Sequence, residues 1–350
     1  MKVLLTNDDG IQATGLGELR RALLGVPGID LAVIAPNSNR SATARSITTR
    51  RPLEVEEVEF DDGTVGYATD GTPVDCVRLA ALGLVGDTPE LIVSGINHGS
   101  NLGDDITYSG TVAAALEGIV LGVPGIAVSQ QSTAREMDFR LGNDFDFGDA
   151  AAFAARLVEE IESVPLPAGT LLNVNCPAGG AAGARACRLG RRIYRDTLEQ
   201  VSEEDGRRHY RIYGDDPSYH SEPGTDFADA SAFAARLVEE IESVPLPAGT
   251  LLNVNCPAGG AAGARACRLG RRINRDTLKQ ISEEDGRRHY RIYGDDPSYH
   301  SEPGTDFAAI ADGLISVTPL HFDLTSAAGL EQLGGFDLDM LIRPAATEVE

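Results

Sequence analysis

The chain has 350 residues, a formal net charge of −23 at pH 7 and a 42% hydrophobic content with no tryptophan. The negative balance argues against nucleic acid or an anionic membrane surface as a partner. No apolar stretch approaches the ~20 residues needed to cross a bilayer and the first residues lack a signal-peptide pattern, so a cytoplasmic protein with no membrane partner is expected. The five cysteines (Cys76, Cys176, Cys187, Cys256 and Cys267) are odd in number and form no C-x-x-C pair, which reads as reduced structural thiols.

Lys2-Val3-Leu4-Leu5-Thr6 is a short apolar run that reads as a buried parallel strand. It leads into Asn7-Asp8-Asp9-Gly10, two adjacent carboxylates before a glycine, where open α/β sheets place their ligand crevice. Neighbouring carboxylates repel and one takes up a proton, unless a hard divalent cation neutralises both. The same residues are also a good turn sequence, so the motif needs support from elsewhere. Residues 31–37 form a second apolar strand, followed by the polar loop Ser38-Asn39-Arg40-Ser41-Ala42-Thr43, in which Arg40, like Arg45 beyond it, reads as a charge on the rim. Residues 91–97 form a third strand, running into Asn97-His98-Gly99-Ser100-Asn101-Leu102-Gly103-Asp104-Asp105. A capped helix is expected from Ser109 to Gly118 and a fourth strand over 125–129. This alternation predicts an α/β fold: a doubly wound, mostly parallel Rossmann-like sheet, with its polar clusters gathered on one edge.

At that edge Asp8 and Asp9 offer carboxylates, Ser41 a hydroxyl and Asn97 an amide carbonyl. This all-oxygen set suits one Mg²⁺ or Mn²⁺ better than Zn²⁺. Ser109-Gly110-Thr111 opens the helix, so free N–H groups and the positive end of its dipole are available to an anion such as phosphate. Ser109 reads equally well as a plain N-cap, and Asn101 adds an amide. His98 is expected to be non-catalytic, because a strand neighbour of Asn97 points away from it. Which aspartate serves as general base stays open.

Taken together, T-N-D-D-G, A-P-N-S-N-R-S, D-G-T-P-V-D-C-V at 70–77, S-G-I-N-H-G-S-N-L-G-D-D at 94–105 and Y-S-G-T-V-A-A-A-L-E-G at 108–118 resemble the SurE (survival protein E) family. The resemblance runs through residues 1–145 and returns in I-S-V-T-P-L-H-F-D-L-T at 315–325. It implies a divalent-metal-dependent phosphomonoesterase that hydrolyses nucleoside 5′- and 3′-monophosphates, and in some members short polyphosphate. The family's metal ligands match Asp8, Asp9, Ser41 and Asn97, and its phosphate pocket matches Asn101 and Ser109. The catalytic set implied is Asp8, Asp9, Asn101 and Ser109, with Gly110 and Thr111 also binding substrate. Competing readings are a non-hydrolytic nucleotide-binding module, an aspartyl-phosphate enzyme (such enzymes carry D-x-D here) and an inactive, duplication-disturbed homologue.

Residues 146–225 and 226–305 align at an offset of 80 and differ only at Gly148/Ala228, Ala151/Ser231, Tyr194/Asn274, Glu199/Lys279 and Val201/Ile281. Each copy reads as a helix (152–162 in the first), a strand (170–175) and a hairpin turning at Asp205-Gly206. The expected organisation is a core over 1–145 carrying the site, two repeat units over 146–225 and 226–305, and a closing strand and helix over 306–350. The family has this unit once, so one copy is surplus, through a recent duplication or an artefact of sequence assembly. The larger Tyr194 favours the first copy for the helix-strand place in the sheet. Tyr210 and Tyr213, with Tyr194 and nearby arginines, read as a C-terminal oligomerisation hairpin rather than a nucleic-acid surface, implying a homodimer or homotetramer.

Overall fold

A computed structural model of the chain describes residues 1–133, 144–167, 169–179, 181, 184, 186, 189, 196–204, 207–214, 250–255, 264–269, 272–273, 276–294, 298–299, 302–312 and 314–321. The first part contains β1 (Lys2–Thr6), α1 (Thr14–Leu24), β2 (Asp30–Pro36), β3 (Leu53–Glu59), β4 (Val65–Thr69), α2 (Pro73–Ala81), β5 (Leu91–His98), α3 (Gly110–Leu121), β6 (Gly125–Gln130), α4 (Gly148–Ser163) and β7 (Leu171–Cys176). Then come β8 (Asp196–Glu204), β9 (Arg207–Gly214), β10 (Thr250–Asn255), β11 (Ala264–Ala266), β12 (Arg272–Ile273), β13 (Asp276–Glu284), β14 (Arg287–Gly294), β15 (Ser298–Tyr299), α5 (Asp306–Ala311) and β16 (Ile315–His321).

Nine strands make one sheet in the order β13-β14-β3-β4-β2-β1-β5-β6-β7. From β4 to β7 every pairing is parallel, and the remaining pairings, β4 with β3, β3 with β14 and β14 with β13, are antiparallel. The strands of the parallel part are apolar on both faces because helices cover both. Along β1, Val3 and Leu5 pack with Leu16, Leu19 and Leu23 of α1 and with Ala150, Ala154 and Val158 of α4. Leu4, pointing the other way, joins Val77 and Leu79 of α2 and Ala114 of α3. This is the doubly wound α/β sheet expected. Among the described residues no helix is long and apolar enough to cross a membrane, and Cys76, Cys176 and Cys267 are buried free thiols.

The repeat is divided between two compact units rather than cut at its own boundaries. One unit joins Met1–Gly190 to Asp276–Asp295; the other joins Arg191–Arg275 to Asp296–Leu324. The nine-stranded sheet therefore takes α4 and β7 from the first copy and the β13–β14 hairpin from the second. In the second unit, β8 pairs with β9, β16 lies between β10 and β11, and β12 pairs with β15. Arg287, Arg288, His289 and Tyr290 of β14 lie opposite Glu56, Val55, Glu54 and Leu53 of β3, and Tyr290 is buried against Leu53 and Val55. The second copy's helix, Tyr194, the turn at Asp205-Gly206 and the segment beyond His321 lie outside the described residues.

Candidate functional site

The site lies where β1 ends, between the C-terminal end of β5 and the N-terminus of α3. Asn7, fully buried, shapes the turn: its Nδ2 donates to Gly10 O at 2.9 Å and its Oδ1 accepts from Gly10 N at 3.1 Å. Gly10 has φ +110°, which a side chain would strain, and that turn presents both aspartates to the crevice. Asp8 is 2% exposed. Its Oδ1 accepts from Thr111 Oγ1 at 2.5 Å, and its carboxylate also accepts the Thr111 backbone N–H. A Cβ on Gly110 would fall 2.8 Å from Asp8 Cβ and 2.9 Å from its Oδ2, so only glycine lets the helix end approach this closely.

Asp9 is held from the other side. Its Oδ2 accepts from His98 N at 3.1 Å and its Oδ1 from Asn39 Nδ2 at 3.2 Å. Burial, with the charge of Asp9 adding to it, pushes Asp8 up to about 6, against the pull of Thr111. Burial likewise raises Asp9 to about 6, against the His98 N–H. Two carboxylates removed from water and set beside one another are a place for a cation.

Asn97 is buried, and its Nδ2 donates to Gly99 O at 2.7 Å, leaving Oδ1 without a hydrogen-bond partner among the described residues. Ser41 is exposed; its N–H donates to Asn39 Oδ1 at 2.8 Å, and its hydroxyl makes no hydrogen bond among the described residues. It follows Arg40, whose N–H donates to Asp8 O at 2.6 Å and whose guanidinium bonds the carbonyls of Asp70 and Gly71. Arg40 thus braces the loop that carries Ser41. Arg45 pairs with Glu117 at 2.5 Å.

Ser109 caps α3, its Oγ accepting from Val112 N at 3.1 Å. Asn101 is buried, with its Nδ2 donating to Ser129 Oγ at 2.8 Å. The structure gives Thr111 a contact with Asp8 that the sequence did not suggest.

His98 departs from expectation. It lines, with Asp9, Gly10, Gln12, Ala13, Thr14, Asn37, Ser38 and Asn39, a cavity of about 370 Å³. Its Nδ1 is 3.9 Å from Asp9 Oδ1, and its ring stacks against both Phe145 and Phe147, each 5.1 Å away and themselves 5.6 Å apart. Burial lowers its pKa, and the charge of Asp8 opposes this. His98 thus sits beside Asp9. The pairing of β5 with β6 slips between Ser94 and Asn97, and such irregularities re-aim side chains.

The family model for Survival protein SurE matches residues 3–196. The chain belongs to the SurE family. A 5'-nucleotidase SurE of Rubrobacter xylanophilus is 41% identical over 344 residues, covering 98% of this chain and 99% of its own. The 5'-nucleotidase SurE of Chloroflexus aggregans is 46% identical over 240 residues, covering 68% of this chain and 91% of its own. The Rubrobacter SurE thus matches this chain's extra length, which the Chloroflexus SurE does not. A crystal structure of the Sure protein from Aquifex aeolicus aligns at 27% identity over 96% of this chain and 99% of its own, with a TM-score of 0.34.

Other side chains at this SurE site escaped sequence reading. Asn173 and Asn175, near the end of β7, both donate through Nδ2 to Asn101 O at 3.0 Å, and Asn175 Oδ1 accepts from Asn101 N at 2.8 Å. Their signal was present in Leu171-Leu172-Asn173-Val174-Asn175, where polar residues alternate on one face of a strand inside an α/β sheet. Asn7, Asn39 and Ser129 carried no such pattern.

Proposed function

We propose that this chain is a divalent-metal-dependent phosphomonoesterase acting on nucleoside 5′- and 3′-monophosphates, releasing nucleoside and phosphate. The observation that carries the reading is the pair of buried carboxylates Asp8 and Asp9, both pushed up to about 6 and set against the N-terminus of α3. The donor chemistry fits a hard cation. Asp8 and Asp9 supply negative oxygens, Asn97 an amide oxygen without a hydrogen-bond partner among the described residues, and Ser41 a hydroxyl on a loop tied to the Asp8 carbonyl. An all-oxygen donor set of this kind suits Mg²⁺ or Mn²⁺ over Zn²⁺. When bound, the cation supplies Lewis acidity toward a phosphoryl oxygen and acidifies water.

The chain's own groups do the rest. The donors proposed for the phosphoryl group are the N–H of Gly110, the Ser109 hydroxyl and Asn101, since the N–H groups of Thr111, Val112 and Ala113 already donate to Asp8, Ser109 Oγ and Ser109 O. Thr111 fixes the orientation of Asp8, and the His98 N–H that of Asp9. With one oxygen toward Asn39 and one toward His98 N, Asp9 lines the open cavity and is the better placed aspartate to take a proton from water. The β13–β14 hairpin, whose outer strand ends the sheet, is read as the assembly element of a homo-oligomer. The names of the relatives support the nucleotide as substrate. Phosphate release from a panel of nucleoside monophosphates, with Mg²⁺, Mn²⁺ or EDTA, tests the reading. Cation-dependent turnover supports it, and full turnover in EDTA ends it.

A further inference from the structure

We propose that Asn175 is a positioning residue for the phosphate side of the site: it clasps the peptide of Asn101 and so fixes the loop that leads into α3. The proposal rests on the phosphomonoesterase reading above. A single side-chain amide grips Asn101 at two points, accepting from its N–H at 2.8 Å and donating to its carbonyl at 3.0 Å. This imitates the two bonds by which residues pair in an antiparallel ladder. Asn101 is 5% exposed, so its backbone groups need protein partners, and a buried polar group left alone is costly. Ser129, next to Asn175 in the pairing of β6 with β7, holds the Asn101 side chain, and Asn173 gives the carbonyl a second donor. The loop is thereby tied to the sheet by its backbone and its side chain. Residues 103–107 form a 3-10 turn, and two residues later Ser109 caps α3. Among the described residues no hydrogen bond joins the clasp to Asp8 or Asp9.

The repeat supplies an internal control. Asn255 is the twin of Asn175, placed at the end of β10 in the other compact unit, where its Nδ2 lies 3.4 Å from Ser316 Oγ. The two residues share their sequence surroundings yet only one clasps Asn101.

The test uses the full chain as Asn175→Ala, Asn175→Asp and Asn255→Ala, with a nucleoside monophosphate as substrate. Inorganic phosphate serves as competitive inhibitor, and Mn²⁺ binding is followed by calorimetry. Misplacing a group by about 1 Å costs on the order of 100-fold in rate. Asn175→Ala is therefore expected to lower kcat/KM by roughly 10-fold or more and to weaken phosphate inhibition in proportion. Its Mn²⁺ affinity should stay within about twofold of the parent, because among the described residues the clasp shares no hydrogen bond with the aspartates. Asn175→Asp is nearly isosteric, keeps the acceptor and loses the donor; it should fall between, and it carries the test if the alanine variant does not fold. Asn255→Ala should match the parent throughout. Unchanged phosphate inhibition in both Asn175 variants overturns the proposal, as does a parallel loss of Mn²⁺ affinity or an equal defect in Asn255→Ala. Should the parent itself hydrolyse none of the nucleotides, the phosphomonoesterase reading fails separately. Hydrogen exchange at the Asn101 amide then decides the clasp: faster exchange in the Asn175 variants upholds it, and unchanged exchange overturns it.

Discussion

At the scale of single residues, the proposed chemistry rests on Asp8 and its immediate neighbours. Asp8→Asn and Asp9→Asn are each expected to abolish most phosphate release while the fold survives, since removing one charge relieves the repulsion between them; circular dichroism beside the activity assay checks both halves. Gly110→Ala drives a methyl into Asp8 Cβ, so it should cost about 1–3 kcal/mol of stability and most of the activity, read by denaturant melts and turnover. The pH dependence has a definite sign. Both carboxylates rise from 3.8 to about 6 on folding, so the native chain holds more protons than the unfolded one between those values. Stability without cation therefore falls as pH climbs through that window and stays low above it. Metal-free protein is expected to melt a few degrees lower at pH 7.5 than at pH 5, with the difference reduced in Asp8→Asn. Mn²⁺ should raise Tm more at the higher pH, where protons no longer compete; a Tm that rises with pH in EDTA contradicts the buried pair. The aspartates could be read from sequence because two carboxylates ending an apolar strand are chemically conspicuous. Gly110 and Thr111 were visible as the start of a helix and, through the resemblance, as substrate-binding positions, but not as neighbours of Asp8, since that contact joins residues far apart in the chain.

At the scale of elements, strand type, helix caps and sheet faces could be read because they are set locally. Apolar runs gave the parallel strands, and Ser109 before Gly110-Thr111 gave the start of α3. What could not be read was the aim of side chains at irregular strand ends. Alternation along β5 predicted that His98 points away from Asn97, but it could not show that His98 lines a cavity with Asp9 beyond a slipped pairing of β5 with β6. Ser109 belongs to this scale because it caps the helix and, in the proposed function, also serves the crevice. Ser109→Ala should lose about 1 kcal/mol through the missing cap, and turnover should fall further than that loss explains. Equal kcat in a merely less stable variant would leave Ser109 as a cap alone.

At the scale of the molecule, the copies differ at only five of 80 aligned positions, so the sequence argument for the first copy in the helix-strand place rested on Tyr194 alone, and none placed the second copy's hairpin in the sheet. The sheet draws on both copies, taking β7 and its helix α4 from the first and the β13–β14 hairpin from the second. Removing residues 191–270 leaves all nine strands of the large sheet in the chain and joins Gly190 to Arg271, in the same sequence context as the natural Gly190-Arg191. β16 loses β10 in that variant, but β7 repeats the residues of β10 and carries no second partner among the described strands. The shortened chain is expected to fold, with a Tm within several degrees of the parent, and to keep its activity; an insoluble or inactive product would make the added unit indispensable. The divided use of the copies also bears on heredity. An in-register recombination between the two repeats, wherever along their length it falls, excises one unit and leaves a chain specifying one helix, one strand and one hairpin. All such products differ from one another at no more than those five positions. Lineages can therefore gain or shed this segment by slippage alone, without an intermediate that has lost the part of the chain carrying Asp8, Asp9 and α3.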